Sequence, residues 1–172
     1  MIGRAFPVLA ADVYEIPKEP YKLQLEALDN LKRDDIFIVN TGSTRAAFWG
    51  ELISSTARAR GCRGAIIDGL SRDTERIIEM RFPVFSRGYC PIDSKGRIDV
   101  IAYNTPIQCG GVFVNPQDLI FADYDGVVVV PRQVEDQVIS EAMKKITGEN
   151  RVRGALQAGM KASEAYRKFG IL

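Results

Sequence analysis

The sequence predicts an α/β domain whose first half contains parallel strands, and two patterns carry this prediction. Short apolar runs at 35–40 and 64–68, each bounded by polar residues, are typical of buried strands. Between them, residues 47–60 have apolar side chains at helical spacing, and Gly61 follows where a helix C-terminus commonly has glycine. Strand, helix and strand in this order form a βαβ unit with neighbouring parallel strands and a right-handed crossover.

The other predicted elements complete an order of βαβα, then strands, then helices, in a single domain over 1–172. In the first half these elements are an extended stretch with prolines at 1–20, a helix at 23–31, loops at 41–44 and 69–71, and a helix at 72–80. Strand patterns follow at 83–85, 97–103, 111–114, 119–122 and 126–131. The valine run in the last strand predicts full burial, and Asp125-Gly126 before it signals a hairpin turn. From Gln133 onward we expect helices with breaks at Gly148 and Gly159.

Composition and charge are those of an ordinary globular protein. Apolar residues make up 46% and charged residues 26% of the 172 residues, and the net charge is only +1. This balance does not favour nucleic acid as a partner, and no apolar run has the length of a membrane span. Residues 1–5 lack the pattern of a signal peptide, and Cys62, Cys90 and Cys109 form no CxxC pair. We therefore expect a cytoplasmic protein with reduced thiols and no membrane contact.

The chain contains no histidine, which narrows the chemistry that it can perform. Ser-His-Asp and Cys-His catalysis are excluded, as are zinc and iron sites that depend on imidazole. Acid–base steps must use a carboxylate, lysine, tyrosine, cysteine or water. A bound metal must have oxygen ligands, which favours Mg²⁺ or Mn²⁺.

Two short polar clusters follow the two strands of the predicted βαβ unit. They are Gly50-Glu51-Leu52-Ile53 and Ser71-Arg72-Asp73. Loops after neighbouring parallel strands lie side by side at the carboxyl edge of the sheet, where open α/β sheets bind ligands. We therefore expect residues 41–53 and 69–73 to converge in the folded chain.

The predicted convergence suits a small α-keto acid and a divalent cation. A helix that begins near Trp49 exposes the unpaired N–H groups of 50–53, and its dipole favours an anion. Arg72 can bind a carboxylate with two parallel hydrogen bonds, and Asp73 is an oxygen ligand for a hydrated cation. Glu51 is placed to hold or deprotonate one of that cation's waters.

A purely structural interpretation accounts for the same residues. Ser71 suits a helix N-cap, and Asp73, Glu75 and Glu51 suit the first turns of helices on dipole grounds alone. Arg72 would then form a surface ion pair. The chain also lacks the GxGxxG and GxxxxGK loops of nucleotide-binding proteins.

Other reactive residues have structural explanations. Cys109 precedes Gly110-Gly111 without a visible base, which favours a buried small residue at a turn, and Lys95 lies in a turn. The carboxylates of 123–125 belong to the predicted hairpin turn. Asp68, at the end of a strand beside the site, stays open between a structural and a functional role.

A set of motifs follows in a fixed order from residue 35 onward. The motifs are Phe48-Trp49-Gly50-Glu51-Leu52, Arg60-Gly61-Cys62-Arg63-Gly64, Asp68-Gly69-Leu70-Ser71-Arg72-Asp73, Pro83-Val84-Phe85 and Asp123-Tyr124-Asp125-Gly126-Val127-Val128-Val129-Val130-Pro131. Together they resemble the RraA-like family, which includes the 4-hydroxy-4-methyl-2-oxoglutarate/4-carboxy-4-hydroxy-2-oxoadipate aldolases. The ending from Ala162 to Leu172 resembles the family's C-terminal helix. Some members are labelled demethylmenaquinone methyltransferases, but the chain has no glycine-rich methyl-donor loop.

The resemblance implies a swivelling β/β/α fold, assembled as a homotrimer or as a dimer of trimers (a homohexamer) with active sites between subunits. It also implies that Asp73 holds Mg²⁺ or Mn²⁺ through water. The pyruvate site that it implies is formed by Arg72 and by the backbone of Gly50, Glu51, Leu52 and Ile53.

Three features depart from the pattern of the family. A further acidic position of the family falls on Arg76, with Glu75 beside it. The N-terminal segment is shorter than the family's helical one, and a histidine that members often have after the substrate loop is absent. These departures leave open whether the site is incomplete or is completed by another subunit.

The activity that the resemblance implies is metal-dependent cleavage of a C–C bond in a 4-hydroxy-2-oxo acid, which releases pyruvate through its enolate. Water oriented by Glu51 would remove the proton of the substrate hydroxyl, while Arg72 and the cation stabilise the enolate charge. Decarboxylation of oxaloacetate passes through the same enolate and is expected as a side or main reaction. The alternative is a non-catalytic RraA-like regulator that binds a ribonuclease or another protein partner.

Overall fold

The computed structural model describes residues 1–171. Two compact units divide the chain, one formed by residues 1–132 and the other by the residues from Gln133 onward. The first unit contains all the strands described below, and the second is helical.

The strands and helices of the first unit follow the predicted order, with two short strands, at 47–49 and 107–109, that were not predicted. Its strands are β1 (Ile2–Asp12), β2 (Asp35–Asn40), β3 (Ala47–Trp49), β4 (Gly64–Ser71), β5 (Val84–Tyr89), β6 (Ile98–Tyr103), β7 (Ile107–Cys109), β8 (Val112–Val114), β9 (Leu119–Asp123) and β10 (Gly126–Val130). Its helices are α1 (Lys22–Asp29), α2 (Glu51–Ala59) and α3 (Thr74–Glu79). The second unit contains α4 (Glu135–Gln157) and α5 (Ala162–Phe169), and a short 3₁₀ helix (Arg132–Val134) precedes α4.

The main sheet has the strand order β10-β9-β1-β2-β4-β3, with β5 also paired to β4 and β6 also paired to β1. Strands β2 and β4 are parallel neighbours, with Ile36 opposite Gly64 and Asn40 opposite Asp68. The predicted βαβ unit is therefore confirmed. Strand β1 pairs in parallel with β2 but antiparallel with β9 and β6, which makes the sheet mixed. Strands β7 and β8 form a separate antiparallel hairpin.

Strand β2 is buried on both faces, which explains its unbroken apolar run. Phe37 and Val39 belong to one apolar cluster, whereas Ile36 and Ile38 belong to a second. Successive side chains of a strand point to opposite faces, so the two clusters lie on the two sides of the sheet. The ring of Phe37 contacts those of Trp49, at 4.9 Å between centroids, and of Phe48, at 6.4 Å.

The helix predicted at 47–60 begins later than expected, because residues 47–49 form strand β3 against β4. Phe48 and Trp49 are buried in the core, and Gly50 is extended before the first helical residue, Glu51. Helical spacing could not distinguish this arrangement from a longer helix, since a short buried strand has no period of its own. The predicted C-terminus is correct, because Gly61 follows the last turn with φ of 81°.

The loop predicted at 69–71 is also wrong, because strand β4 continues through Ser71 between β3 and β5. Gly69 permits this continuation, since a Cβ there would lie only 2.3 Å from Oγ1 of Thr41. The helix predicted at 72–80 is accordingly shorter and begins at Thr74.

The valine run of β10 is not fully buried as predicted. Val127 and Val128 are 39% and 56% exposed, because β10 is the edge strand of the main sheet and pairs with β9 alone among the described strands. The hairpin turn before it is confirmed, with Asp123 and Gly126 ending and beginning the paired strands.

In the helical unit, the break predicted at Gly148 is absent and the break at Gly159 is present. Helix α4 continues through Gly148, where a Cβ would lie 2.5 Å from Cδ1 of Ile171. This glycine therefore permits close packing and does not end the helix. Residue 172, at the end of the predicted C-terminal helix, lies outside the described residues.

The state of the cysteines and the length of the apolar helices can be read from residues 1–171. All three cysteines are free thiols there, as predicted. Within the same residues, no helix is both long enough and apolar enough to cross a membrane.

Phe37→Ala should lower the free energy of unfolding by about 3–5 kcal/mol, because it leaves a cavity among packed aromatic rings. Phe113→Ala is the matched control, since this side chain is 74% exposed, and it should change stability by less than about 1 kcal/mol. Urea denaturation measures both values, and equal losses would contradict the placement of Phe37 in the core.

Candidate functional site

A cleft of about 630 Å³ lies where the start of α2, the β4–α3 connection and the loop after β5 come together. The amide of Arg72 donates to the carbonyl of Trp49 at 2.9 Å, so the ends of two adjacent strands are tied by main chain. The two polar clusters predicted to converge therefore do so. Gly50, Glu51, Leu52, Ile53, Arg72 and Asp73 all line this cleft.

The closest contact between the clusters joins the start of α2 to Asp73. The amide N–H of Glu51 donates to Oδ2 of Asp73 at 3.0 Å. Gly50 makes this approach possible, because a Cβ there would lie 2.6 Å from the same oxygen and 3.2 Å from Cγ of Arg72. The contact depends on a glycine at this position for steric reasons.

Asp73 departs from the structural interpretation of the sequence. It is the residue before α3, but its side chain makes no capping hydrogen bond to that helix. Its backbone has φ of 58° and ψ of 34°, the left-handed region that aspartate tolerates better than most residues. Ser71, the predicted cap, lies in β4. The Asp73 carboxylate is thus directed across the cleft to the neighbouring helix.

The start of α2 presents unpaired backbone donors to the cleft. Within residues 1–171 the amides of Leu52 and Ile53 have no protein acceptor, as expected for the first turn of a helix. The helix dipole adds partial positive charge at this end. These groups are placed to receive carboxylate or keto oxygens.

A buried network holds the first turn of α2 in place. The indole N–H of Trp49 donates to Oγ of Ser54 at 2.7 Å, and that hydroxyl donates to the carbonyl of Gly50 at 3.0 Å. Ser54 is fully buried. Sequence reasoning did not single out Ser54, although its position one turn after Glu51, on the face of the helix toward Trp49, was a usable signal.

Arg72 is oriented by a partner that the sequence did not reveal. Its Nη2 donates to Oδ2 of Asp93 at 2.8 Å, while its Nε lies 3.9 Å from Oδ2 of Asp73. Oδ1 of Asp93 accepts from the hydroxyl of Tyr21 at 2.8 Å. Asp93 lies far from Arg72 and from Tyr21 in the chain, so no local pattern connected the three.

The ionisation of this group follows from its contacts. Burial alone would raise the pKa of Asp93, but hydrogen bonds from the amide of Lys95 and from Tyr21, with the charge of Arg72, lower it below its usual value. Burial and the hydrogen bond to Asp93 raise the pKa of Tyr21 to about 12. At neutral pH the carboxylate is therefore charged and the phenol is protonated.

Glu51 lies at the mouth of the cleft, half-buried. Its Oε1 accepts a hydrogen bond from Oγ of Ser55 at 3.4 Å. Leu52 beside it is largely exposed, and Glu75 and Arg76 line the same cleft. Arg76, where the resemblance implies an acidic residue, pairs with Glu79 at 2.9 Å.

The residues present fit a hydrated oxygen-bound cation better than a protein-enclosed one. No group of three or more acidic or cysteine side chains is arranged to hold a metal within residues 1–171. Oδ2 of Asp73 is engaged by Glu51, whereas Oδ1 has no protein partner in that part of the chain. Mg²⁺ is commonly bound by one or two carboxylates together with water and substrate oxygens, and a single free carboxylate oxygen suits that mode.

The other reactive residues have structural roles. Asp68 lies within β4, where its carboxylate accepts from Nε of Arg87 and, at 2.7 Å, from the amide of Gly110. Cys109 beside it is half-buried, and burial, followed by the charge of Asp68, raises the pKa of its thiol to about 11. This thiol is therefore not an activated nucleophile. Lys95 lies in a turn held by Asp93, as predicted.

The fold and cleft define a class: a mixed α/β protein in which an arginine, a carboxylate and the free amides of a helix start line one cleft. A family profile described as Aldolase/RraA matches residues 1–129. The chain belongs to the RraA-like family.

Individual relatives agree with this membership. An uncharacterised protein of Methanocaldococcus jannaschii is 35% identical over 122 residues, covering 71% of this chain and 58% of that protein. A Halalkalibacterium halodurans protein, provisionally named 4-hydroxy-4-methyl-2-oxoglutarate aldolase, is 32% identical over 143 residues, covering 83% of this chain and 68% of that one. The chain thus spans less than two thirds of the M. jannaschii relative.

A solved structure has the same fold. It is Streptomyces coelicolor RraAS2, described as an unusual member of the RNase ES inhibitor RraA protein family. The similarity has a TM-score of 0.77 at 26% identity and covers 89% of this chain and 76% of that one.

Gly50→Ala should displace the Asp73 carboxylate and break its hydrogen bond from Glu51, because the new Cβ would collide with Oδ2. We expect a loss of about 1 kcal/mol in the free energy of unfolding and faster exchange of the Glu51 amide proton. Hydrogen exchange followed by NMR and urea denaturation measure the two effects.

Gly88→Ala is the control for this substitution, since a Cβ there would make only an ordinary contact of 3.4 Å with Leu70. It should leave exchange at Glu51 unchanged and keep or slightly raise stability. Unaltered exchange at Glu51 in Gly50→Ala would contradict the close approach.

Proposed function

We propose that the protein is a divalent-metal-dependent carbon–carbon lyase that cleaves a 4-hydroxy-2-oxo acid, or oxaloacetate, and releases pyruvate. The observation that carries the proposal is the hydrogen bond from Glu51 to Asp73, which joins the two sides of a cleft that Arg72 and the first residues of α2 both line. The name of the H. halodurans relative supports the aldolase reaction. We further propose that the protein acts in the cytoplasm as a homotrimer or a dimer of trimers, which light scattering can measure.

Substrate binding would use the groups that are unpaired in the cleft. Arg72 retains Nη1 without a protein partner in residues 1–171, and the amides of Leu52 and Ile53 lie at the start of α2. A carboxylate bound by the guanidinium would leave the adjacent keto oxygen facing these amides. Asp73 would hold Mg²⁺ or Mn²⁺ through water, and the cation, when bound, supplies positive charge that stabilises an enolate.

The aldol cleavage requires one proton removal and one proton return. The proton of the C4 hydroxyl leaves to Glu51 or to a water that Glu51 orients, and C4 becomes a carbonyl carbon. The electron pair of the C3–C4 bond passes to the pyruvate fragment as its enolate, which Arg72 stabilises by charge. Protonation at C3 then gives pyruvate.

Cleavage of oxaloacetate requires fewer catalytic groups of the protein than cleavage of the aldol substrate. Its C3–C4 bond breaks with loss of CO₂, and the electron pair forms the same enolate, which is protonated to pyruvate. No hydroxyl proton has to be removed. Decarboxylation therefore tests Arg72 and Asp73 separately from Glu51.

Arg72→Ala and Asp73→Ala should each reduce Mg²⁺-dependent release of pyruvate from oxaloacetate by about 100-fold or more, because the enolate loses its charge stabilisation. Coupled detection of pyruvate, with and without Mg²⁺, measures this. Arg63→Ala is the matched control, since Arg63 forms an exposed pair with Asp34 away from the cleft. Full activity in both site variants, or no turnover with any divalent cation, would refute the proposal.

Glu51→Gln should impair aldol cleavage much more than decarboxylation, because only the aldol substrate needs a base. We expect a loss of about 100-fold for 4-hydroxy-4-methyl-2-oxoglutarate and less than about 5-fold for oxaloacetate. Equal losses on the two substrates would show that Glu51 serves binding and not proton transfer.

A second candidate function is regulation of a ribonuclease by direct binding. The similarity to the S. coelicolor protein supports it, since that protein belongs to a family described as RNase inhibitors. Binding of a purified ribonuclease by wild type and by Arg72→Ala alike, without turnover of either substrate, would favour this function over the lyase.

A further inference from the structure

We propose that Asp93 and Tyr21 are positioning residues that hold Arg72 in the orientation that receives the substrate carboxylate. This inference rests on the proposed keto acid site and adds two residues to it. The role proposed for Asp93 and Tyr21 is exerted through Arg72 and not in the bond-breaking step itself.

The contacts leave one part of the guanidinium engaged and another free. Nη2 of Arg72 donates to Asp93 at 2.8 Å, whereas Nη1 has no protein partner within residues 1–171. The side chain of Arg72 is 38% exposed in the cleft. A long arginine side chain loses much rotamer freedom when it is immobilised, so a contact that immobilises it beforehand favours ligand binding.

Asp93 can serve this purpose because its own loop is held rigidly. The carbonyl of Ile92 accepts from the amide of Ala47 at 2.8 Å, which ties the loop to β3. The carbonyl of buried Ser94 accepts from the amides of Arg97 and Ile98 at 2.8 and 2.9 Å. The position of the Asp93 carboxylate is therefore set by the backbone of its loop and does not depend on Arg72.

Tyr21 fixes the rotation of that carboxylate. Its hydroxyl and the amide of Lys95 both donate to Oδ1 of Asp93, at 2.8 and 2.7 Å. With Oδ1 satisfied from two directions, Oδ2 is directed at Arg72. The backbone of Tyr21 is itself fixed at the start of α1, where its carbonyl accepts from the amide of Leu25 at 2.8 Å.

Asp93 also has an effect that would weaken anion binding, so the direction in which the affinity changes when Asp93 is removed tests the inference. A carboxylate beside Arg72 partly neutralises the charge that attracts an anion. If neutralisation dominated, removal of Asp93 would tighten anion binding. If positioning dominates, removal weakens it. Asp93→Asn weakens it as well, because an amide whose oxygen accepts from Lys95 turns its NH2 group to Arg72 and cannot accept from the guanidinium.

The test uses oxalate, a stable dianion shaped like the pyruvate enolate, titrated calorimetrically into the full chain with Mg²⁺. Asp93→Ala and Asp93→Asn should each weaken oxalate binding by about 10-fold, and Tyr21→Phe by about 3-fold. In oxaloacetate turnover, KM should rise while kcat changes by less than about 3-fold. Asp29→Ala is the matched control, because Asp29 forms an exposed pair with Arg60 away from the cleft.

Each outcome decides between the possibilities. Tighter or unchanged oxalate binding in Asp93→Ala and Tyr21→Phe overturns the inference but leaves the proposed function intact. If the wild-type protein neither binds oxalate nor releases pyruvate, the inference and the proposed function are both refuted. If loss of the Lys95 contact unfolds Asp93→Ala, then Tyr21→Phe and Asp93→Asn, which leave the Lys95 amide an acceptor, still give the answer.

Discussion

The close approach of the start of α2 to the β4–α3 connection is the constraint on which the site depends. It requires glycine at position 50, because any Cβ would collide with Oδ2 of Asp73. The same approach brings the Glu51 amide within 3.0 Å of that oxygen. Arg72 and the unpaired amides of α2 then surround one small volume.

Packing in the core fixes the residues next to this contact. Trp49 is fully buried and contacts Phe37 of β2, so the residue before Gly50 cannot move independently of the sheet. Ser54 links the indole of Trp49 to the carbonyl of Gly50 and closes the first turn of α2. Packing on one face of the sheet thereby determines where the helix presents its free donors. Stability and site geometry are coupled through Trp49, as is expected where a polar group is satisfied inside a core.

Local sequence patterns were sufficient to predict the central βαβ unit, but not strand β3 or the position of β10 at the edge of the sheet. The runs at 35–40 and 64–68 are largely buried on both faces, so their apolar character was continuous and easily recognised. Strand β3 was missed because three buried residues next to a helix continue its apolar pattern. The valines of β10 have high strand propensity whether buried or exposed, so sequence predicted the strand but not its position at the edge.

The sequence by itself determined the available chemistry and its approximate location. A chain without histidine has only carboxylate, lysine, tyrosine or cysteine side chains for acid–base steps, and parallel strands place the loops after them at one edge. Only the tertiary structure decided which atoms meet. Asp73 turns to the amide of Glu51 and leaves its own helix uncapped, and Arg72 turns to Asp93 and Tyr21. These choices depend on packing between segments distant in sequence, where hydrogen-bond geometry is set by the fold and not by local spacing.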